Sequence, residues 1–210
     1  MAVFSDGFES NDFTAWTGTG GTPTIQNAHT HHGHYAMEIN LAVEYARIAV
    51  ADNDTFHART YFRLDDVPET GEMINLLTVT STAWNDIVFV QILDNEFGFV
   101  RMYPDGGDLV AMNWATGVWY CAEIKAYRND GAGEYRLYLD GVNVLSATGL
   151  DSSGIPAGWF CRFGNYNPGG ENYTFQMDCC ATDNAYIGLE TFPMPVVAHH
   201  YRTINKVVRG

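Results

Sequence analysis

The sequence predicts an all-β protein, a sandwich of two packed antiparallel sheets of the jelly-roll type with a short C-terminal arm. Period-two runs of apolar residues, bounded by Gly, Asp, Asn and Pro, recur along most of the 210 residues, whereas a helical period is hard to find. The chain is 46% hydrophobic and 14% aromatic, enough to fill one large core. Short strands and tight turns without alternating helices favour a jelly roll over a parallel α/β layer.

Two runs alternate most clearly. Thr55–Leu64 places one set of side chains toward a core and the opposite set toward solvent or a ligand. Residues 118–128 repeat this pattern and predict a second half-buried strand. The residues expected to face outward from these two strands are His57, Arg59, Tyr61, Arg63, Trp119, Cys121, Glu123, Lys125 and Tyr127.

The remaining elements follow from turn signals. Asp140 and Gly141 stand between apolar runs at 135–139 and 142–145, which predicts a β-hairpin. Other turns are expected at 94–95, 104–107 and 129–131. Further strands are expected at 35–41, 46–51, 73–80, 87–93, 97–103, 159–163 and 173–180.

The charge balance excludes several classes of partner. Acidic residues number 25 and basic residues 11, a net charge of −14, so nucleic acid is not an expected partner. No run approaches the roughly 18 apolar residues that cross a bilayer, so we expect no membrane contact. The first residues lack the pattern of a signal peptide. We therefore expect synthesis in the cytoplasm, or an extracellular location if a signal has been removed.

The C-terminal end differs in character from the rest. Residues 1–190 hold 25 acidic and 8 basic residues, a net charge of −17, whereas the remaining 20 carry a charge of +3 and no acid. We therefore divide the chain into a jelly roll at 1–189 and a basic arm at 190–210. The arm either docks on a neighbouring subunit of a homo-oligomer or larger assembly, or is a frayed terminus.

The cysteines and histidines offer two kinds of ligand. Cys121, Cys161, Cys179 and Cys180 show no C-x-x-C spacing, so we expect buried free thiols that pack as small hydrophobic groups. Residues 29–34 are rich in histidine, and alternate histidines on an extended segment can bind a transition metal. Gly33 interrupts that segment and no carboxylate or Cys is near it in sequence, which favours an ordinary polar loop.

The outward faces suggest a recognition surface. Tyr61 lies between Arg59 and Arg63 on its strand. If Trp119, Glu123, Tyr127 and Tyr138 share that sheet face, the result is an aromatic floor with charged hydrogen-bonding groups. Sugars stack on such floors. The alternative is that these side chains fill the second side of the sandwich or a subunit interface.

Four segments resemble LamG-like jelly-roll domains of the concanavalin A-like lectin/glucanase superfamily. The opening segment, FSDGFESNDFTAWT at 4–17, is similar to the start of these domains. Residues 33–37, 138–141 and 175–178 resemble later landmarks in the same order. The resemblance spans residues 4–188 and implies a fold more firmly than an activity.

The resemblance also implies a structural calcium ion. In related jelly rolls such an ion ties the N-terminal segment to the last strand through oxygen ligands. Carried over to this chain, the ligands would be Asp6, Glu9 and Asp178. The last strand here continues as Cys179 and Cys180, where the family usually has a second acid and an aliphatic residue. The alternative is that these acids cap loops.

Enzymatic relatives of this fold carry motifs that this sequence lacks. The Glu-x-Asp-x-x-Glu string of the glucanases is missing, and Gln91-Ile92-Leu93 resembles the Gln-x-His pair of alginate lyases with Leu in place of His. We therefore expect a non-enzymatic, lectin-like surface module. Our first hypothesis is a decoration or cement protein on a virus or phage. The alternatives are a carbohydrate-binding module and then a polysaccharide lyase or glycoside hydrolase.

Overall fold

The computed structural model describes residues 4–50, 55–81, 86–94, 96–98, 107–129, 131–151 and 159–190. Within these ranges every regular element is a strand, and all strand pairs are antiparallel. The predicted fold class, an antiparallel two-sheet jelly-roll sandwich, is confirmed. In the described part of the chain no helix is long and apolar enough to span a membrane. Predictions at 51, 95, 99–106, 130 and 191–210, including most of the arm, lie outside the described residues.

The strands form two sheets, named A and B. Sheet A has the order β13-β12-β11-β6-β15-β4-β3, with β1 paired to β15, and sheet B has the order β10-β9-β8-β7-β14-β5-β2. The strand bounds are β1 Phe4–Asp6, β2 Gly18–Gly20, β3 Thr24–Gln26, β4 Ala36–Ile39, β5 Val43–Val50, β6 Thr55–Leu64, β7 Met73–Ser81, β8 Asp86–Leu93, β9 Glu96–Phe97, β10 Val110–Ala111, β11 Trp119–Tyr127, β12 Gly133–Leu139, β13 Val142–Leu150, β14 Trp159–Tyr166 and β15 Phe175–Asp183.

The core lies between the sheets and follows the predicted alternation. On β6, Phe56, Phe62 and Leu64 are buried in the core, and on β11 Tyr120 and Ile124 join them. Each fully buried side chain of this kind stabilises the fold by about 1.5–3 kcal/mol. The opposite faces of the same strands point away from the core and form the outer face of sheet A.

The predicted hairpin and thiols are also confirmed. Asp140 and Gly141 join β12 to β13 with φ values of 49° and 76°. Two successive positive φ angles define the turn that best matches the twist of a hairpin. Cys121, Cys161, Cys179 and Cys180 are all free and buried.

Candidate functional site on the outer face of sheet A

The outward residues of β6 and β11 meet on one face, as the alternation predicted. In the register, Trp119 pairs with Arg63, Cys121 with Tyr61 and Glu123 with Arg59. On the other side of β11, Glu123 pairs with Tyr138 and Tyr127 with Glu134. The predicted recognition residues therefore occupy one sheet face, spread over three neighbouring strands.

This face is covered by the chain itself. Tyr61 is 7% exposed, Arg59 5% and Glu123 2%. We call residues 184–190 the strap, because this segment lies against the outer face. Glu123 accepts hydrogen bonds from the backbone N–H groups of Ile187 and Gly188, both at 2.8 Å. The hydroxyl oxygen of Tyr61 accepts one from Glu190 N at 3.0 Å.

Arg59, on β6 beneath the strap, holds the strap through hydrogen bonds. One guanidinium nitrogen donates to the carbonyl of Gly188 at 2.9 Å. The other donates to the carbonyl of Cys179 at 3.2 Å and to Glu190 Oε1 at 2.6 Å. Glu190, the first residue of the predicted arm, is thus anchored to the sandwich. Arg59, Tyr61 and Glu123 hold this protein's own chain in the structure.

The other predicted face residues have partners elsewhere on the molecule, except for Tyr138, which contacts the strap. Arg63 donates to Asp65 and, at 2.7 Å, to Gln176 Oε1. Trp119 is half-buried, and the hydroxyl of Tyr127 accepts a hydrogen bond from Asn129. The ring of Tyr138 lies 4.9 Å from that of Tyr186 in the strap. A role for these residues in glycan binding stays a prediction.

A second covering segment comes from between β3 and β4. We call residues 27–35 the histidine loop. Asp178 Oδ2 accepts hydrogen bonds from the backbone N–H groups of His31 and His32, at 2.9 and 3.0 Å. Glu9 accepts from those of His34 and Tyr35, at 2.9 to 3.1 Å. Two carboxylates, distant in sequence, therefore fasten the loop to the sandwich.

The three predicted calcium ligands act here as hydrogen-bond acceptors. Asp6 accepts from Phe8 N at 2.8 Å and from the Trp16 indole at 2.6 Å. Glu9 and Asp178 hold the histidine loop, and Asp178 Oδ1 also accepts from Cys179 N. Among the described residues these carboxylates do not gather into one ligand group. The arrangement fits loop capping and not a calcium cage, and calcium binding stays a prediction.

Burial also makes the carboxyl of Asp178 a weaker acid than an exposed aspartate. Desolvation raises the pKa of this carboxyl to about 6, although the backbone N–H groups of His32, Cys179 and His31 act in the opposite direction.

A β-bulge turns Cys179 toward the outer face. Along β15, Asp178 pairs with Tyr61 and Ala181 with Arg59, so two residues of β15 lie opposite Thr60 alone. Cys180 packs in the core, whereas Cys179 packs with Tyr61, Cys121 and Trp119 outside it. Cys179 has a φ of 50°, a left-handed conformation that costs a non-glycine residue about 1–2 kcal/mol.

The bulge places Cys179 beside two other ligand-type side chains. Cys179 Sγ lies 3.9 Å from Nδ1 of His31. Ligand atoms of His31, Cys179 and Glu190 all lie within 4.8 Å of one another. Burial raises the pKa of the Cys179 thiol well above its usual range, and the carboxylates of Asp178 and Glu190 raise it further.

This cluster corrects one argument from the sequence. We favoured an ordinary polar loop at 29–34 because no carboxylate or Cys lies near it in sequence. The fold supplies both, since Cys179 is 148 residues from His31. One feature of the sequence points to this cluster: Cys179 stands in the last strand where the family usually has a second acid.

The histidine loop also borders a pocket. Asn27, Thr30, Gly33, His34 and Tyr35 line a cavity of about 310 Å³. Asn27 and His34 are exposed, whereas Tyr35 is half-buried. An amide, a hydroxyl, an imidazole and an aromatic ring therefore surround one concavity, which is a donor set suited to a polar ligand with apolar faces.

The lyase-like segment lies on sheet B. Gln91 is on β8, where its amide donates to Asn75 Oδ1 and lies 2.9 Å from the sulfur of Met73. On β14, two strands away from β8, the guanidinium of Arg162 lies 4.0 Å from the ring centre of Tyr166 and 5.2 Å from that of Tyr45 on β5. Leu93 stands where a lyase carries its histidine and cannot transfer a proton. The non-enzymatic character stays a prediction.

Comparisons by sequence identify no relative, since no family model and no curated protein match this chain. Solved structures do match. The cellulose-induced protein Cip1 aligns with a TM-score of 0.69 at 16% identity, covering 89% of this chain and 100% of Cip1.

Two further matches come from larger proteins. Trypanosoma rangeli sialidase in complex with sialic acid aligns with a TM-score of 0.57 at 14% identity, over 79% of this chain and 28% of the sialidase. Botulinum neurotoxin type C, which interacts with two ganglioside molecules, aligns with a TM-score of 0.57 at 9% identity, over 79% and 42%. These similarities show the jelly-roll sandwich. Membership of the LamG-like branch stays a prediction.

Proposed function

We propose that this chain is a glycan-binding module whose binding site is the pocket beside the histidine loop. The observation that carries the proposal is the lining of that pocket by Asn27, Thr30, His34 and Tyr35. Sugar recognition combines an aromatic plane, on which the C–H face of a ring stacks, with polar groups that fix the hydroxyls. The pocket is a depression of about 310 Å³ that is open to solvent, so it suits a ligand that stays partly exposed.

Two further observations support this proposal. The covered face of sheet A moves the candidate site away from Tyr61 and Glu123, which are occupied by the strap. Among proteins of similar fold, one binds sialic acid and another interacts with gangliosides. The net charge of −14 disfavours polyanionic polysaccharides, which leaves neutral and singly charged oligosaccharides as the ligand classes.

A glycan array tests the proposal, followed by titration of the best ligand. The double variant Asn27→Ala/His34→Ala removes two exposed pocket groups with little effect on folding. Losing two hydrogen bonds of about 0.5–1.5 kcal/mol each lowers the affinity by roughly 5- to 150-fold. Tyr186→Ala, which removes an exposed aromatic ring on the strap, is the matched control and leaves the affinity unchanged.

Either of two results would overturn the proposal: no ligand on an array that includes neutral and singly charged glycans, or equal affinity in the double variant. The assembly role first expected from the sequence depends on residues 190–210, of which only Glu190 is described. That role stays a prediction, which the size of the protein in solution tests.

A further inference from the structure

We propose that His31, Cys179 and Glu190 form a binding site for a thiophilic transition-metal ion, with Zn²⁺ as the best fit. The site joins three segments that are far apart in sequence: the histidine loop, the bulge of β15 and the strap. It is separate from the glycan pocket and does not depend on glycan binding.

The geometry is close to that of a tetrahedral zinc site. Zinc ligand atoms lie about 2.0–2.3 Å from the ion, and hence roughly 3.3–3.8 Å from one another. The distance from Cys179 Sγ to His31 Nδ1 is 3.9 Å, which needs almost no adjustment. The third ligand lies within 4.8 Å of the other two, so a shift of about 1 Å in the Glu190 side chain closes the set.

The ligand side chains are held in place from several directions. The ring of His31 stacks on Tyr61, with 3.7 Å between ring centres, and meets Trp119 edge-on at 5.6 Å. Asp178 holds the backbone of His31. The bulge fixes Cys179, and Arg59 fixes Glu190 Oε1. Rigid neighbours of this kind orient metal ligands and raise affinity.

One ligand atom lacks another partner. Glu190 Oε2 is buried and has no hydrogen-bond partner of normal geometry within the described part of the chain, and the Glu190 carboxylate faces the thiol of Cys179. A buried carboxylate oxygen without a partner is costly unless it is paired or binds a cation. Bound Zn²⁺ would supply that partner.

The charges also balance. A Cys179 thiolate and the Glu190 carboxylate neutralise the two positive charges of Zn²⁺, and His31 ligates as the neutral imidazole. Binding displaces the thiol proton to solvent. Two charged side chains of opposite sign contact the ligand residues: Arg59 donates to Glu190 Oε1, and Asp178 accepts from the backbone N–H of His31. With three protein ligands, the fourth position belongs to water.

A nucleophilic cysteine is the competing interpretation, because Cys179 and His31 are adjacent. Reactive cysteines lie in partly exposed, electropositive surroundings that favour the thiolate. Cys179 is 6% exposed, and the carboxylates of Asp178 and Glu190 lie beside it. Those surroundings oppose the free thiolate that a nucleophilic cysteine needs, whereas a metal ligand loses its thiol proton only as the ion binds.

The test is a titration of the full chain, first stripped of metal with a chelator, with Co²⁺ and then Zn²⁺. Bound Co²⁺ shows a near-ultraviolet thiolate-to-metal band that histidines elsewhere in the chain do not produce. We expect this band in the wild type and in Cys121→Ala, a control that removes a neighbouring thiol outside the ligand group. Cys179→Ala loses the band, and Zn²⁺ displaces Co²⁺ from the wild type.

His31→Ala provides an independent test of the metal site, because this half-buried loop residue can be replaced without opening the core. We expect a loss of Zn²⁺ affinity of roughly 100-fold or more, since even outer-shell partners contribute 10- to 100-fold. His29→Ala, in the same loop but outside the ligand group, keeps wild-type affinity. No band in the wild type, a band retained in Cys179→Ala, or unchanged affinity in His31→Ala would each overturn the proposal.

Discussion

The imidazole ring of His31 lies 3.7 Å above the phenol ring of Tyr61, with an angle of 19° between their planes. This contact joins the histidine loop to β6 in the middle of sheet A. The hydroxyl of the same tyrosine accepts a hydrogen bond from Glu190 of the strap. Tyr61 therefore supports both segments that cover the outer face.

This stacked pair is expected to contribute measurably to stability. In a double-mutant cycle with His31→Ala and Tyr61→Leu, we predict a coupling of about 1 kcal/mol in the free energy of unfolding, as for other stacked rings. Urea unfolding of the four proteins measures it. If the stability losses of the two single variants sum to that of the double variant within about 0.3 kcal/mol, the rings do not interact.

The strap is predicted to depend on the carboxylate of Glu123. In Glu123→Gln one acceptor oxygen becomes an amide donor facing a backbone N–H, so we expect a loss of about 2 kcal/mol. Hydrogen exchange at Ile187 and Gly188 then accelerates about 30-fold. The control is Glu134→Gln, which removes partly exposed ion pairs with Lys125 and Arg136 and changes stability by about 0.5 kcal/mol or less. Equal exchange rates at Ile187 and Gly188 in the two variants would contradict the role of Glu123 in holding the strap.

The left-handed backbone at Cys179 should affect the stability of the protein independently of the thiol. Cys179→Gly and Cys179→Ala both lack sulfur, but only glycine adopts a φ of 50° without strain. We therefore expect the glycine variant to be more stable than the alanine variant by about 1 kcal/mol. Thermal unfolding compares the two proteins, and a more stable alanine variant would exclude the bulge geometry.

Gly33 is predicted to be essential for the histidine loop. Its φ is 73°, and a Cβ atom there would lie 2.3 Å from the carboxylate of Glu9, which holds His34 and Tyr35. Gly131, with a φ of 70° and no atom within 4 Å of such a Cβ, is the matched control. Both alanine variants lose about 1–2 kcal/mol from backbone strain.

Gly33→Ala loses more stability than Gly131→Ala, because the added Cβ atom displaces the hydrogen bonds of Glu9. We also expect its glycan affinity to fall. Chemical unfolding and ligand titration of the two variants measure both effects. Identical losses of stability would mean that Glu9 does not fasten the loop.

Much of the fold was predictable because strand alternation is a local property. The run Thr55–Leu64 coincides with β6, and the Asp140–Gly141 signal coincides with the turn after β12. The short strands β1, β2, β3 and β10 have two or three residues each. Such segments are too short to show a period of two, so their pairing depends on partners elsewhere in the chain.

The site was predictable only in part, for the same reason. Alternation placed Tyr61 and Glu123 on the outer face, but gave no sign of the strap that covers them. The approach of Cys179 to His31 depends on a bulge in β15 and on a loop held by Asp178. Both are long-range features that one sequence without its fold does not show.

Amide NMR shift mapping with the best array ligand locates the bound glycan on the molecule and so tests whether the histidine loop binds it. We predict that the shifts concentrate at Asn27, Thr30 and Gly33–Tyr35 and saturate with the titrated affinity. Shifts concentrated around Tyr45, Arg162 and Tyr166 on sheet B, or no shifts with any glycan, would contradict the account.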